Sequence, residues 1–131
     1  MLSKANTTFK ITKWEEESIS ELTGGGGLRR AHITKSYEGE LQGDGIVEYL
    51  MAYKPEGSAS FTGYEVVTCV LNGKSGSFVF EHRGKFKDGV VDSTWSIAEG
   101  SGSGELAGIR GEVYFKAGHQ AEYAVTLEYE L

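Results

Sequence analysis

The side chains of this sequence best suited to acid–base chemistry are a histidine and a glutamate, His82 and Glu65. An imidazole and a carboxylate in contact can move a proton to or from a bound molecule, as in an isomerisation or cyclisation. Burial would raise the pKa of the carboxylate and lower the pKa of the imidazole, while their mutual attraction would oppose both shifts. The pair therefore fits a catalytic role or a polar contact with a ligand. It also fits a core histidine that serves only to satisfy buried polarity.

Two tight turns decide which strands would carry these residues. Asn72-Gly73 and Asp88-Gly89 are typical of two-residue hairpins, in which both central residues take positive φ. Each turn fixes the alignment of its flanking strands, and the two alignments are independent. Both nevertheless put the same apolar side chains on one face of the sheet: Phe61, Val67, Leu71, Phe78, Phe80, Phe86, Val91, Trp95 and Ile97.

The same alignments place His82 on this apolar face, between Gly63 on one neighbouring strand and Trp95 on the other. Glu65 is its diagonal neighbour and comes within reach of a side-chain hydrogen bond. Gly63 and Gly84 remove side chains beside the imidazole and are expected to leave room there. An ionisable pair beside a tryptophan and a void is typical of a ligand pocket. The predicted binding residues are His82, Glu65, Trp95, Phe80, Gly63, Glu48, Tyr49 and Tyr129, and the candidate catalytic residues are Glu65 and His82.

The predicted strand at residues 45–54 has two largely apolar faces, so its orientation stays open. A four-residue loop at 55–58 places Glu48 opposite Glu65 inside the fold. A three-residue loop points Tyr49 inward instead. The face that lies outside is a candidate subunit contact. We therefore expect a homo-oligomer, with a dimer favoured.

Three further groups are candidate functional residues. Lys35 shares the inward parity of its strand, so it points either towards Glu65 or Glu48 or along the strand to water. Cys69 fits a small buried apolar residue better than a nucleophile. Glu48, Glu65 and His82 could be combined into a metal site, but no ligand spacing favours one. We predict no metal and no cofactor.

The stretch "GSGSGELAGIRGEVYF" at Gly100–Phe115 could in principle cradle a phosphate. A dinucleotide-binding loop needs a strand before it and a helix after it. The residues that follow alternate like a strand, and they include Gly108 and Gly111, which a helix interior disfavours. We interpret the stretch as a loop feeding a bent strand, with the two glycines at a bulge or a close approach.

Period-two alternation dominates the chain, which predicts an all-β fold. Trp14–Gly25 is acidic and ends in glycines, which favours a loop or one helical turn. A three-residue loop at 118–120 would pair Phe115 with Tyr123. About eight strands in one domain (residues 1–131) suit a closed eight-stranded antiparallel barrel, which leaves no exposed edge. The predicted strands are Thr7–Lys13, Leu28–Glu38, Gly45–Lys54, Ala59–Leu71, Lys74–Lys87, Val90–Ile97, Gly108–Lys116 and Gln120–Leu131.

The composition of the chain argues against some classes of binding partner. The 131 residues are 39% hydrophobic and 24% charged, as expected of one soluble domain. A net charge of −6 argues against nucleic acid and against an anionic membrane as partners. The single cysteine allows no internal disulfide, and the N-terminal residues lack the apolar core of a signal peptide. We therefore expect a cytoplasmic location.

Four segments, "GSGELAGIRGE", "VEYLMAY", "SGSFVFEHRGKF" and "STWS", resemble a family of small, mostly bacterial proteins of unknown function. That family is similar to the allene oxide cyclase barrel, and the glycine-rich strand resembles the dirigent proteins on a related barrel. The resemblance implies an allene oxide cyclase-like barrel of eight strands, with a central cavity and an oligomeric assembly. It transfers no catalytic residues, and a shared fold alone does not establish a function.

These observations support three hypotheses. The first is a cytoplasmic module that binds a small, largely apolar molecule against Trp95, Phe80 and Tyr129. The second is an isomerase or cyclase on the same scaffold, with Glu65 and His82 as its acid–base pair, so whether the protein is an enzyme stays open. The third is a filled barrel that acts through its outer surface as a structural or interaction protein. The volume of the lumen separates the third hypothesis from the other two.

Overall fold

The computed structural model describes residues 2–131, and these residues form nine strands. Eight of them close into an antiparallel barrel in the order β1–β2–β3–β4–β5–β6–β8–β9, with β9 pairing back onto β1. The two-residue β7 pairs with β5 outside this ring. The predicted closed eight-stranded barrel is confirmed. The strands are β1 (Ser3–Glu21), β2 (Gly27–Gly39), β3 (Leu41–Tyr53), β4 (Ala59–Leu71), β5 (Lys74–Lys87), β6 (Val90–Ile97), β7 (Ser103–Gly104), β8 (Arg110–Ala117) and β9 (Tyr123–Glu130).

Both predicted hairpin turns are present. Asn72 has a φ of 46° and Asp88 a φ of 52°, and each is followed by a glycine that also has positive φ. The alignments on either side agree with the predicted ones: His82 pairs with Gly63 on β4 and with Trp95 on β6. Turn chemistry therefore sets the register of three consecutive strands.

The prediction of a loop or helical turn at Trp14–Gly25 is wrong for most of that segment, because β1 continues through it as a long strand paired with β2. Two of its acidic residues contact arginines on β2. Glu16 accepts a hydrogen bond from Arg29 Nε at 2.8 Å, and Glu17 lies 3.5 Å from Arg30. Opposite charges across an antiparallel pair favour the strand, and single-strand periodicity does not reveal that partner.

The last hairpin differs from the prediction by two residues. Glu112 pairs with Glu128, so the connection between β8 and β9 is longer than the predicted loop at 118–120. A shift of two residues preserves the alternation of side chains. Phe115 and Tyr123 therefore still point inward, with ring centroids 5.4 Å apart.

The orientation of β3 is now decided. Its connection to β4 spans residues 54–58, and Val47 pairs with Glu65. Tyr49 therefore points into the barrel, whereas Glu48 points outward and contacts the exposed His32 at 2.8 Å. The outward face of β3 and its neighbour β4 exposes a group of large apolar side chains: Ile46, Leu50, Tyr64, Val66 and Val70.

The glycine-rich stretch closes one end of the barrel. Leu106 and Ile109, which follow β7, are fully buried in the larger core cluster, and within residues 2–131 no helix follows them. Gly108 has a φ of 81°, which favours glycine. A Cβ on Gly111 would lie 2.5 Å from the backbone oxygen of Glu128, so this glycine permits a close approach of β8 to β9. Nothing in the described part of the chain is a helix long and apolar enough to cross a membrane.

Candidate functional site

The barrel is filled at the closed end and hollow at the other. The hollow part is a cavity of about 620 Å³, a volume typical of small-molecule sites. All eight barrel strands contribute to its wall, and the connection between β8 and β9 lies at its mouth. Nine aromatic side chains line it: Phe9, Trp14, Tyr49, Tyr53, Phe61, Phe86, Trp95, Phe115 and Tyr123.

A hydrogen-bonded group of five side chains, here called the polar cluster, lies at and behind the floor of the cavity. Glu65 is its centre: Oε1 accepts from Lys35 Nζ at 3.1 Å and contacts His82 Nε2 at 2.7 Å, and Oε2 accepts from the Tyr37 hydroxyl at 2.6 Å. The Tyr49 hydroxyl lies 3.0 Å from His82 Nδ1. Glu65 and His82 are completely buried, and Lys35 is 4% exposed.

Period-two alternation on four adjacent strands builds this cluster, with Lys35 and Tyr37 on β2, Tyr49 on β3, and the acidic and imidazole groups on β4 and β5. A glycine makes the space for it, because a Cβ on Gly45 would overlap Glu65 Oε2. The carboxylate therefore occupies the volume that a side chain would otherwise fill.

The void predicted beside His82 is absent from the described structure, because aromatic rings occupy it. A Cβ on Gly63 would lie 2.7 Å from Tyr49 Cδ1, and one on Gly84 would lie 2.5 Å from Phe61 Cζ. Removing a side chain from a strand leaves room that a neighbouring ring fills at normal packing density. The open volume lies nearer the open end of the barrel.

The charges of the cluster follow from its contacts. Burial alone would raise the pKa of Glu65, but Lys35, His82 and Tyr37 together lower it to about 2. Burial lowers the pKa of His82 to about 4 against the opposing effect of Glu65. At neutral pH the carboxylate is therefore ionised and the imidazole is neutral. Nε2–H then donates to Glu65, and Nδ1 accepts from the Tyr49 hydroxyl.

Lys35 and the two tyrosines complete the electrostatics. Burial lowers the pKa of Lys35, and the charge of Glu65 opposes that shift. Burial, reinforced by Glu65, raises the pKa of Tyr37 and of Tyr49 well above the usual value, so both stay protonated and act as donors. The Lys35 ammonium, 3.1 Å from Glu65 Oε1, balances the charge of that carboxylate within the buried cluster.

Four of the predicted site residues come together. Tyr49 and Trp95 line the cavity, whereas His82 and Glu65 lie behind its floor. The His82 ring packs on Trp95 with centroids 4.6 Å apart. Both imidazole nitrogens are engaged within the cluster, so the pair reaches a molecule in the cavity only through Tyr49 or Lys35.

The other four predicted residues neither line the cavity nor belong to the polar cluster. Phe80 packs in the filled half of the barrel, and the Tyr129 hydroxyl accepts from Asn72 at 2.7 Å near the closed end. Gly63 lies beneath the Tyr49 ring, and Glu48 is on the outside. Alternation indicates which side chains point inward, but it does not say how deep along the barrel axis they lie.

Sequence reasoning left Lys35 undecided between the interior and water, and it did not identify Trp14. The structure holds Lys35 Nζ 4.1 Å from the Trp95 ring centroid and 4.4 Å from that of Phe9, which anchors it at the floor. The signal in the sequence was that Lys35 shares the inward parity of its strand. Trp14 lies in the segment predicted to be a loop or one helical turn, although the extended β1 carries it to the cavity wall.

The structure also describes the surroundings of Cys69 and of the acidic and histidine side chains. Cys69 is buried, and burial raises the pKa of its thiol to about 11, so it remains a neutral thiol. Across residues 2–131 no three His, Cys, Asp or Glu side chains are grouped so as to hold a metal ion. The polar cluster, with its single carboxylate, is a hydrogen-bonded and charge-balanced group.

Comparisons with known proteins place this fold in a family. No curated protein matches the chain. The chain resembles the crystal structure of a protein with unknown function from the DUF3224 family of Shewanella oneidensis MR-1, with a TM-score of 0.86 and 27% sequence identity. That match covers 100% of this chain and 98% of the other. The model of the DUF3224 family, described as a protein of unknown function, matches residues 5–129. The chain therefore belongs to the DUF3224 family.

Proposed function

We propose that this protein binds a small, largely apolar molecule in the open half of its barrel. The observation that carries the proposal is the cavity of about 620 Å³ with aromatic walls and an ammonium at its floor. Aromatic surface facing water is unfavourable, and an apolar guest would remove it from water at about 25 cal/mol per Å². A barrel acting through its outer surface alone has no need of such a volume, so the cavity favours a binding site.

Filling the cavity should abolish binding. Ala117 lines the wall on β8, so Ala117→Phe adds a ring to the volume that the guest would occupy. Titration with Nile red, an uncharged apolar dye, should show saturable fluorescence enhancement with the unchanged protein and at least tenfold weaker binding with Ala117→Phe.

Ala124→Phe is the matched control, because Ala124 lies exposed on the outer face of β9. It adds the same ring outside the barrel and should leave the dye affinity within twofold. Equal loss in both variants, with both thermal midpoints unchanged, would contradict the proposal, as would an absence of saturable binding to the unchanged protein.

A proton-transfer activity is the second candidate, because hydrogen bonds connect the cavity wall to a buried carboxylate through Tyr49, His82 and Glu65. In this version the Tyr49 hydroxyl would contact the substrate, and His82 would set its proton affinity. An isomerase or cyclase would then act through Tyr49 rather than directly through Glu65 and His82.

Substitution of His82 separates these two functions. A binding module should retain its Nile red affinity within threefold in His82→Gln, because the imidazole does not line the cavity. An enzyme should lose turnover of its substrate by about a hundredfold or more. Affinity falling in parallel with turnover would indicate collapse of the floor rather than loss of a proton-transfer group.

The proposal also includes the type of barrel, the oligomeric state and the cellular location. The closed barrel and the glycine-rich strand support the allene oxide cyclase-like type. The exposed apolar residues on β3 and β4 support a homo-oligomer that covers them, with a dimer favoured. A cytoplasmic location stays a prediction from the sequence.

A further inference from the structure

We propose that the molecule bound in the cavity carries an uncharged carbonyl group whose oxygen accepts a hydrogen bond from the Lys35 ammonium. The carbonyl belongs to a ketone, aldehyde, quinone or ester. This inference rests on the proposed function, because it names the class of ligand for the same cavity. Three properties of the site carry it: the unused donors of Lys35, the charge balance of the polar cluster and the aromatic rings around the ammonium.

The Lys35 ammonium has more N–H donors than it has acceptors among the described residues. An ammonium has three N–H groups, and among the described residues Nζ has one hydrogen-bond acceptor, Glu65 Oε1 at 3.1 Å. The rings of Phe9 and Trp95 lie beside the remaining donors and offer only their faces. Lys35 lines the cavity although it is 4% exposed, and the two rings beside its Nζ line the same cavity. An oxygen there would satisfy a buried donor.

The charge balance of the cluster selects a neutral acceptor. The charges of Lys35 and Glu65 already cancel, and the neutral His82 adds none. A carboxylate or phosphate in the cavity would bring an uncompensated negative charge close to Glu65, and burying a charge without a partner is unfavourable. A carbonyl oxygen accepts the same hydrogen bond without adding a charge.

The surrounding rings select a flat molecule. Nine aromatic side chains line the cavity, and two of them, Phe9 and Trp95, flank the ammonium. Planar conjugated groups stack on such walls with less loss of contact than branched aliphatic ones. A carbonyl conjugated to a ring places its oxygen in the plane of that ring, so one molecule can stack and reach Lys35 at once.

Three naphthalenes of matched size test this inference: 2-acetonaphthone has a neutral carbonyl, 2-ethylnaphthalene has no acceptor, and 2-naphthoate is an anion. Isothermal titration at pH 7.5 should give the ketone an affinity about tenfold higher than the hydrocarbon, as expected of one hydrogen bond to a charged donor. The carboxylate should bind at least tenfold more weakly than the ketone.

The variant Lys35→Met/Glu65→Gln removes both charges together, so no buried ion is left unpaired. It should bind the ketone and the hydrocarbon equally, with the hydrocarbon affinity unchanged within threefold. Lys10→Met, at an exposed position on β1, is the matched control and should keep the tenfold preference.

Equal binding of the ketone and the hydrocarbon to the unchanged protein would overturn the inference, and so would tightest binding of 2-naphthoate. A preference for the ketone that survives in the double variant would also overturn it, since Lys35 would not be its source. Saturable binding of 2-ethylnaphthalene with no binding of the ketone would refute the carbonyl class alone. Failure of Nile red and of all three naphthalenes would refute the proposed function.

Discussion

Replacing Lys35 by methionine should lower the free energy of unfolding by about 3–5 kcal/mol at pH 8, the range expected when one partner of a buried ion pair is removed. Its ammonium lies 3.1 Å from a Glu65 side chain that is completely buried. Without it, the carboxylate keeps only the neutral donors Tyr37 and His82. Urea denaturation followed by tryptophan fluorescence measures the loss.

Removing the second charge should restore much of that stability. Lys35→Met/Glu65→Gln leaves no buried ion, and neutral replacements of buried ion pairs are often tolerated. Lys13→Met is the surface control, because Lys13 and Glu15 form an exposed pair that should contribute little. The account is wrong on this point if Lys35→Met and Lys13→Met cost the same, or if the double variant is less stable than Lys35→Met alone.

The second large effect is a loss of stability in mild acid. The pKa of His82 falls from 6.5 to about 4 on folding, and that of Glu65 from 4.5 to about 2. A group whose folded pKa is depressed stabilises the fold above its unfolded pKa. That stability is lost as the pH falls towards the folded value, because the unfolded chain binds the proton first. The contribution of His82 to the free energy of unfolding should therefore fall by about 3 kcal/mol between pH 6.5 and 4. The contribution of Glu65 should fall by a similar amount, about 3 kcal/mol, between pH 4.5 and 2.

Urea denaturation midpoints from pH 8 to pH 2 measure this loss. His82→Gln isolates its upper part, because glutamine does not titrate while it can still hydrogen-bond to Glu65. In this variant the free energy of unfolding should vary much less between pH 6.5 and 4.5, where Glu65 contributes little. A His82→Gln variant with the same pH profile as the unchanged protein would show that the imidazole is not held neutral by burial.

Local turn chemistry made much of the fold predictable. Asn72 and Asp88, each before a glycine, accept positive φ, and this fixed the register of β4, β5 and β6 along with the burial of His82. The orientation of β3 was not predictable from its own residues, because both its faces are apolar. It depends on the loop at 54–58, whose length the sequence does not mark.

Four of the eight predicted site residues come together, and the sequence did not indicate how deep along the barrel axis each one lies. Alternation placed Glu65, His82 and Trp95 inside the barrel, yet inward side chains fill one half and line a cavity in the other. Which half they occupy depends on the stagger of all eight strands around the ring. The carboxylate could be expected to meet the imidazole, but the role of Lys35 depends on β2, whose register no turn signal fixed.

The claim that the open half of the barrel holds a small molecule is tested most directly by native mass spectrometry of the protein purified from its own host. We predict a species heavier than the polypeptide by one small uncharged molecule, retained by Ala124→Phe and lost in Ala117→Phe. Detection of the bare polypeptide alone in all three preparations, or a bound mass that persists in Ala117→Phe, would contradict the account.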